Sequence, residues 1–357
     1  MSAEKAVRLI ALGSLYMATA SVLLTLFMSW PGVYEGAANL VDMVDGTAER
    51  PYVTRLVLPT LVRLSVTASE RLSDATGIDW GRRSVERLGG FVLRRSHAPA
   101  HAYEHSHTYG TYAVAAFLCF LGFALLLRAL IRSIYPAYPP WVSDFAPIMA
   151  MVVTPLVFFR YVSFVYDPMT LVVFTLCLYL ISERLIPAYL VAFPVAVLNR
   201  ETAILLLGVL AVREFGVSRR ARLVAVGVYH IGVFVALRAL LAYVFREQPG
   251  VALKMQVPVN LEVASMGGFY LKTFLPLAPL AALVVCGWRE KPVFLRKSFL
   301  VVAAPLVVLC LLFGSLGEMR TYYELWPLAF LLMIPPVAHA FGWDEKGPVP
   351  DGPDDDA

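Results

Sequence analysis

Most side chains in this 357-residue sequence are apolar, so its few charged clusters must carry whatever chemistry it has. The central one is Asn199-Arg200-Glu201-Thr202, between the apolar runs 185–198 and 203–212. Hydrocarbon does not solvate ions, so a charged pair at such a place must be paired or used. Three other groups have the same character. They are Glu35, Asp42 and Asp45; Arg160-Tyr161 with Tyr166-Asp167-Pro168; and Glu318, Arg320, Tyr322, Tyr323 and Glu324. Guanidinium forks hold phosphate or pyrophosphate bidentately. A carboxylate beside them can take a proton from a hydroxyl, and tyrosines add hydroxyls and stacking faces for a sugar ring. The candidate binding residues are therefore Arg160, Tyr166, Asp167, Asn199, Arg200, Glu201, Arg320, Tyr323 and Glu324.

Each cluster also has a plainer role. Arg320 and Glu324 are spaced to pair along one helix. Arg200 and Glu201 suit side chains that snorkel to a membrane surface. Asp167 before Pro168 suits a helix N-cap with proline at the first helical position. What favours a shared site is the number of arginines and carboxylates assigned to one side. The histidines form a separate run, His97, His101, His105 and His107, with Glu104 beside them. On a helix, His97, His101 and His105 would share a face usable by a divalent metal such as zinc. His101 and His105 are the candidate ligands, against a plain polar loop leading into an apolar run. No other cofactor is implied.

The elements that must position these groups follow from composition. Hydrophobic residues make up 59% and charged residues 16%, and mean hydropathy is +0.69. Soluble domains are nearer a quarter charged. The apolar runs approach the length of about 20 residues that spans a bilayer as helix. The fold class is therefore all-α, a polytopic transmembrane bundle of about ten spans: 6–29, 111–134, 143–161, 168–183, 185–199, 201–215, 222–245, 268–288, 298–315 and 322–341. Merging 185–215 into one helix would give nine. Ten puts Arg213, Arg219, Arg220, Arg222, Arg289, Lys291, Arg296 and Lys297 inside, as the positive-inside rule prefers. Localisation is then a cell (inner) membrane, multi-pass, with both termini cytoplasmic. Span 185–199 is about 22 Å long at 1.5 Å per residue, short of a ~30 Å core. The tetrad would thus sit below the outer surface in a protein-lined cavity, with the chain doubling back near residue 200.

Residues 1–341 read as a single transmembrane domain. Within it, the long outer loop 30–110 holds two arginine-rich amphipathic stretches, 52–75 and 82–95, which suit helices lying in the membrane interface. The acidic tail 342–357 reads as disordered and cytoplasmic. The first apolar run follows Lys5 and Arg8 and continues past Ala18-Thr19-Ala20, so it reads as an uncleaved helix. The four cysteines lie in apolar runs without metal or disulfide spacing. A formal charge of +4 gives no reason to expect nucleic acid.

Several short motifs together resemble a family. Arg160-Tyr161…Tyr166-Asp167-Pro168, Leu198-Asn199-Arg200-Glu201-Thr202, and Glu318-x-Arg320-x-x-x-Glu324 before Pro327 look like bacterial membrane proteins related to the GT-C glycosyltransferases. Arg50-Pro51-Tyr52-x-x-Arg55-x-x-x-Pro59 is similar to a stretch after their first helix. The resemblance implies a GT-C-like bundle and an inverting transfer from a polyprenyl-phosphate-linked sugar to a saccharide or lipid acceptor. It also implies a catalytic carboxylate in the first outer loop, for which Asp42 and Asp45 are the candidates. The adjacent acidic pair common in that superfamily is absent here, and so is its large C-terminal outer domain. The other expectation is a non-catalytic protein that binds or moves lipid-linked saccharide within an envelope-polysaccharide assembly.

Overall fold

The computed structural model describes residues 3–77, 79–159, 163–215, 220–251, 255–265, 274–315 and 318–343. Among these no strand forms; an isolated bridge pairs Arg50 with Gly250. The helices are α1 (Ala3–Met28), α2 (Leu40–Asp45), α3 (Val57–Thr76), α4 (Trp80–Arg95), α5 (Ser106–Ile134), α6 (Pro140–Phe158), α7 (Asp167–Ser182), α8 (Ile186–Asn199), α9 (Leu206–Glu214), α10 (Arg220–Val244), α11 (Val257–Ser265), α12 (Ala278–Val285), α13 (Val293–Phe313) and α14 (Trp326–Ala340).

Among the described residues, 5 helical stretches are long and apolar enough to cross a membrane: Ala6–Met28, Ala100–Ile134, Pro140–Phe158, Arg220–Val244 and Val293–Phe313. Other expected spans are shorter. α7 and α8 are apolar but have 16 and 14 residues. The segment 201–215 divides into a 3₁₀ turn, Glu201–Leu205, and the 9-residue α9. The segment 322–341 becomes α-helical only at Trp326, after a 3₁₀ turn over Met319–Leu325. Of the expected span 268–288, residues 268–273 lie outside the described residues and α12 is its regular part. The breaks before α9 and α14 fall at the polar cluster.

The chain does reverse near residue 200. Leu185 N–H donates to Leu180 O at the C-terminal end of α7. The amide of Asn199, at the far end of α8, donates to Thr170 near the start of α7, 2.9 Å away. Arg213 at the end of α9 then donates to Ser182 O at 2.9 Å, back at the C-terminal end of α7. Thus α8 and α9 run in opposite directions along one helix.

The core is aromatic and aliphatic, with Phe27 edge-on to Phe120 and Phe159. The expected interfacial stretches are helices α3 and α4, each with much exposed surface. α4 is also locked onto α5: a Cβ on Gly89 would lie 1.8 Å from Ser106 O, and one on Gly110 2.1 Å from Val85 O. Only glycine permits so close a crossing. The loop is pinned at its middle too, where Arg50 bonds the carbonyls of Gln248, Pro249 and Gly250 at 2.8 Å each. Lys291, counted as an inner-loop charge, is buried and its Nζ donates to Leu283 O and Val284 O at 2.8 and 2.7 Å. It caps α12, where the helix dipole favours a cation. The tail assigned as disordered from Gly342 starts in contact: Trp343 packs edge-on against Trp141, with ring centroids 4.5 Å apart. Residues 344–357 lie outside the described residues.

Candidate functional site

Arg200 stands where α8 stops. Its backbone is extended (φ −159°, ψ 140°), and this turns its side chain toward the loop before α14. There Nη1 meets both oxygens of Glu324, at 3.2 and 3.3 Å, and Arg320 O at 3.4 Å. Thr202 donates its hydroxyl to the same carboxylate. Both charged side chains are buried, so each is worth keeping only with the other: losing one partner leaves an uncompensated charge.

Arg320 belongs to the 3₁₀ turn Met319–Leu325. Its Nη1 donates to the Tyr166 hydroxyl at 2.9 Å and its Nη2 to Glu318 at 2.6 Å. Its guanidinium also lies 3.8 Å above the Phe164 ring. Phe164 and Tyr166 are parallel, 5.8 Å apart, and a second arginine covers Tyr166 at 4.1 Å. That arginine is Arg55. The result is a stack of guanidinium, phenol, phenyl and guanidinium, in which each cation rests on a ring face.

Arg55 was expected at the membrane interface. It is buried instead, because Leu56 N–H bonds Leu198 O at 3.0 Å and draws the start of α3 against the end of α8. Its Nη2 pairs with Glu201 at 3.1 Å. Burial lowers the Arg55 pKa from its ordinary value, and the Glu201 carboxylate opposes that. The signal that could have placed it here was the motif running from Arg50 to Pro59, read for its likeness but not for position. Arg238, on α10, bears electrostatically on Glu201.

Asp167 is fully buried. Its Oδ2 accepts from Phe164 N–H at 2.8 Å, so it closes the turn before α7 and does not cap the helix forward. Arg320, Arg200 and Arg55 all bear on its charge. Tyr323 is buried and stacked on Phe158, with centroids 4.5 Å apart. Tyr166, Asp167, Asn199, Arg200, Glu201, Arg320, Tyr323 and Glu324 therefore do gather at one end of the bundle. Arg160 lies outside the described residues.

Counting Arg238, four guanidiniums face four carboxylates: Asp167, Glu201, Glu318 and Glu324. Several buried polar atoms lack a protein partner, among them Asp167 Oδ1, Asn199 Oδ1, Glu201 Oε2, Arg55 Nε and Arg320 Nε. A cavity of about 10 Å³ lies between Thr170, Asn199, Arg200 and Glu324. That is room for about one water. The carboxylates at the open edge are Glu201 and Glu318, whose side chains are 38% and 31% exposed.

Asp42 and Asp45 stand apart from this network. Asp42 accepts from Asn39 at 2.5 Å and sits in a short helix that Asn39 caps in return. Asp45 is exposed at the end of that helix. The histidines also separate. Residues 100–105 form a 3₁₀ turn, in which side chains four apart do not share a face. His101 approaches Tyr34 O at 3.5 Å, while His105 is exposed. Among the described residues no group of three His, Cys, Asp or Glu could hold a metal.

No protein-family profile, curated protein or solved structure matches the chain. What fold and site define is the class: an all-helical protein with several helices apolar enough for a membrane and a buried arginine–carboxylate network at one end.

Proposed function

We propose that this is a multi-pass membrane glycosyltransferase of GT-C-like type, acting at the outer face of the cytoplasmic membrane on a polyprenyl-phosphate-linked sugar. The observation that carries the reading is the convergence of Arg55, Arg200 and Arg320, which come from three distant parts of the chain. Guanidiniums so placed suit a phosphate diester. Among the described residues the network's guanidiniums and carboxylates are equal in number. Glu201 and Glu318 are the exposed carboxylates, and they hold Arg55 and Arg320 in place of a ligand. A donor phosphate would displace them.

In this mechanism an acceptor oxygen attacks the anomeric carbon and the bond from that carbon to the phosphate oxygen breaks. The polyprenyl phosphate leaves with the electron pair, steadied by the arginines, and the anomeric centre inverts. The acceptor proton passes to an outer-loop carboxylate, Asp42 or Asp45. Glu324 and Asp167 orient the guanidiniums. Ten spans with both termini cytoplasmic complete the reading.

The second reading is a non-catalytic binder or carrier of lipid-linked saccharide. It is favoured by the bonds of Asp42, which serve its own helix and not the arginines. Purified protein given a polyprenyl-phosphate sugar and membrane acceptors decides between them. Transfer predicts release of free polyprenyl phosphate, falling about 100-fold in Arg55→Gln. Lipid binding without turnover, unchanged by Asp42→Asn with Asp45→Asn, would establish the carrier.

A further inference from the structure

A second arginine cluster lies at the opposite end of the bundle. Asp144 on α6 is buried, yet it receives three guanidiniums. Arg8 from α1 reaches its Oδ2 at 2.5 Å, while Arg128 and Arg132 from α5 reach its Oδ1 at 2.7 and 2.8 Å. Arg132 Nε also donates to Ser143 at 3.0 Å, and the Tyr16 hydroxyl to Asp144 O at 2.8 Å. Along α5, Tyr112 belongs to the Arg200 end through its bond to Val165 O. Arg128 lies 16 residues further, about 24 Å at 1.5 Å per residue.

One carboxylate cannot neutralise three guanidiniums, so among the described residues the three arginines and Asp144 carry two positive charges in excess. Each guanidinium presents about five N–H donors, and a carboxylate offers about four acceptor positions. Most of the donors therefore exceed what Asp144 and Ser143 can take. Glu183, at the end of α7, bonds Ser133. Beside the cluster is a cavity of about 330 Å³ lined by Arg132, Ser143, Tyr135 and Tyr138. This is within the size range of small-ligand pockets. Arg132 and Arg8 are 47% and 55% exposed, so the excess charge is accessible. Trp141, Trp343 and the stacked Tyr135–Tyr138 pair lie at the same level. Such rings concentrate where membrane meets water, the depth of lipid phosphates.

We propose that this end of the bundle is a phosphate-ester site, in which Arg132 holds the phosphate in the cavity lined by Tyr135 and Tyr138, Asp144 sets the arginines, and Arg8 adds exposed positive charge through the other oxygen of Asp144. It is separate from the Arg200 network and does not rest on sugar transfer. The phosphate has two sources, an anionic lipid headgroup or a soluble phosphate compound. The test is binding to the detergent-purified full chain, with four probes: short-chain phosphatidic acid, phosphatidylglycerol, phosphatidylcholine and inorganic phosphate. Phosphatidic acid and phosphatidylglycerol should bind well above phosphatidylcholine, whose choline masks its charge. Arg132→Gln and Arg8→Gln should each weaken that binding on the order of tenfold. Both substituted side chains are half exposed, so monodisperse protein is expected from each. Displacement of the lipid by inorganic phosphate at matched concentration would support the site and assign a soluble source. Its failure to displace would support the site and assign the headgroup. Equal binding of phosphatidic acid and phosphatidylcholine, or unchanged binding in both variants, would overturn the proposal. Sugar transfer is read in a separate assay, so either result leaves the reading of the Arg200 end untouched.

Discussion

The two ends of this bundle solve the same electrostatic problem in opposite ways. At the Arg200 end, the described arginines and carboxylates are matched and largely buried beside a cavity of about 10 Å³. At the Asp144 end, three arginines share one carboxylate beside a cavity of about 330 Å³. A matched buried network holds helix ends together, because each member is costly without its partner. An unmatched cluster at the rim has attraction to spare for a ligand. The lesson is that counting arginines does not identify an anion site; counting them against their carboxylates and against open volume does. By that measure a ligand at the Arg200 end must exchange with Glu201 and Glu318, whereas one at the Asp144 end need displace only water.

The contrast can be broken by substitution. The largest effect is expected from Glu324→Ala, which strands Arg200 in the interior and should cost about 3–5 kcal/mol. Asp144→Asn keeps the shape but removes the shared charge. Because Arg8 and Arg132 can turn to water, the expected loss is smaller, about 2–3 kcal/mol. Denaturant unfolding in detergent, followed by tryptophan fluorescence, measures both. A larger loss at Asp144 than at Glu324 would mean that the Asp144 cluster is the structural one. Next is the pair of Arg55 and Glu201. A double-mutant cycle with Arg55→Gln and Glu201→Gln should show coupling of about 0.5–3 kcal/mol. It should fall at the lower part of that range, since the Glu201 side chain is 38% exposed. Coupling near zero would detach the outer loop from the network.

Much of the first cluster was legible from residue types, because charge inside an apolar run must find a partner. Asn199, Arg200 and Glu324 follow from that rule, and so does the chain reversal at Arg200, since 15 residues fall short of a full crossing. Arg55 was harder. Its surroundings look amphipathic, and only the backbone bond from Leu56 to Leu198 shows that the stretch turns inward. The histidine face failed because Pro99 leads into a 3₁₀ turn, whose period differs from the one assumed. The Asp144 cluster was invisible for a different reason. Arg8 read as a flanking charge, and Arg128 and Arg132 fell unremarked within the span 111–134. Nothing in a linear pattern says that 128 and 132 from one helix and 8 from another meet a single aspartate on a third.

The smallest stability change makes the sharpest distinction. Arg132→Gln should alter unfolding free energy by at most about 1 kcal/mol, since half-exposed ion pairs contribute little after solvent screening. Asp144 keeps Arg8 and Arg128 when Arg132 is lost, so no buried charge is stranded. The same substitution removes the guanidinium that lines the cavity, and phosphatidic acid binding should weaken on the order of tenfold. Stability and affinity thus move independently at this end. At the Arg200 end they cannot, because Glu324 holds Arg200 and Thr202 inside the fold. If Arg132→Gln instead lowered stability as much as Glu324→Ala while leaving phosphatidic acid binding intact, the two ends would be the same kind of structure. The excess of positive charge around Asp144 would then be a packing device with no ligand of its own.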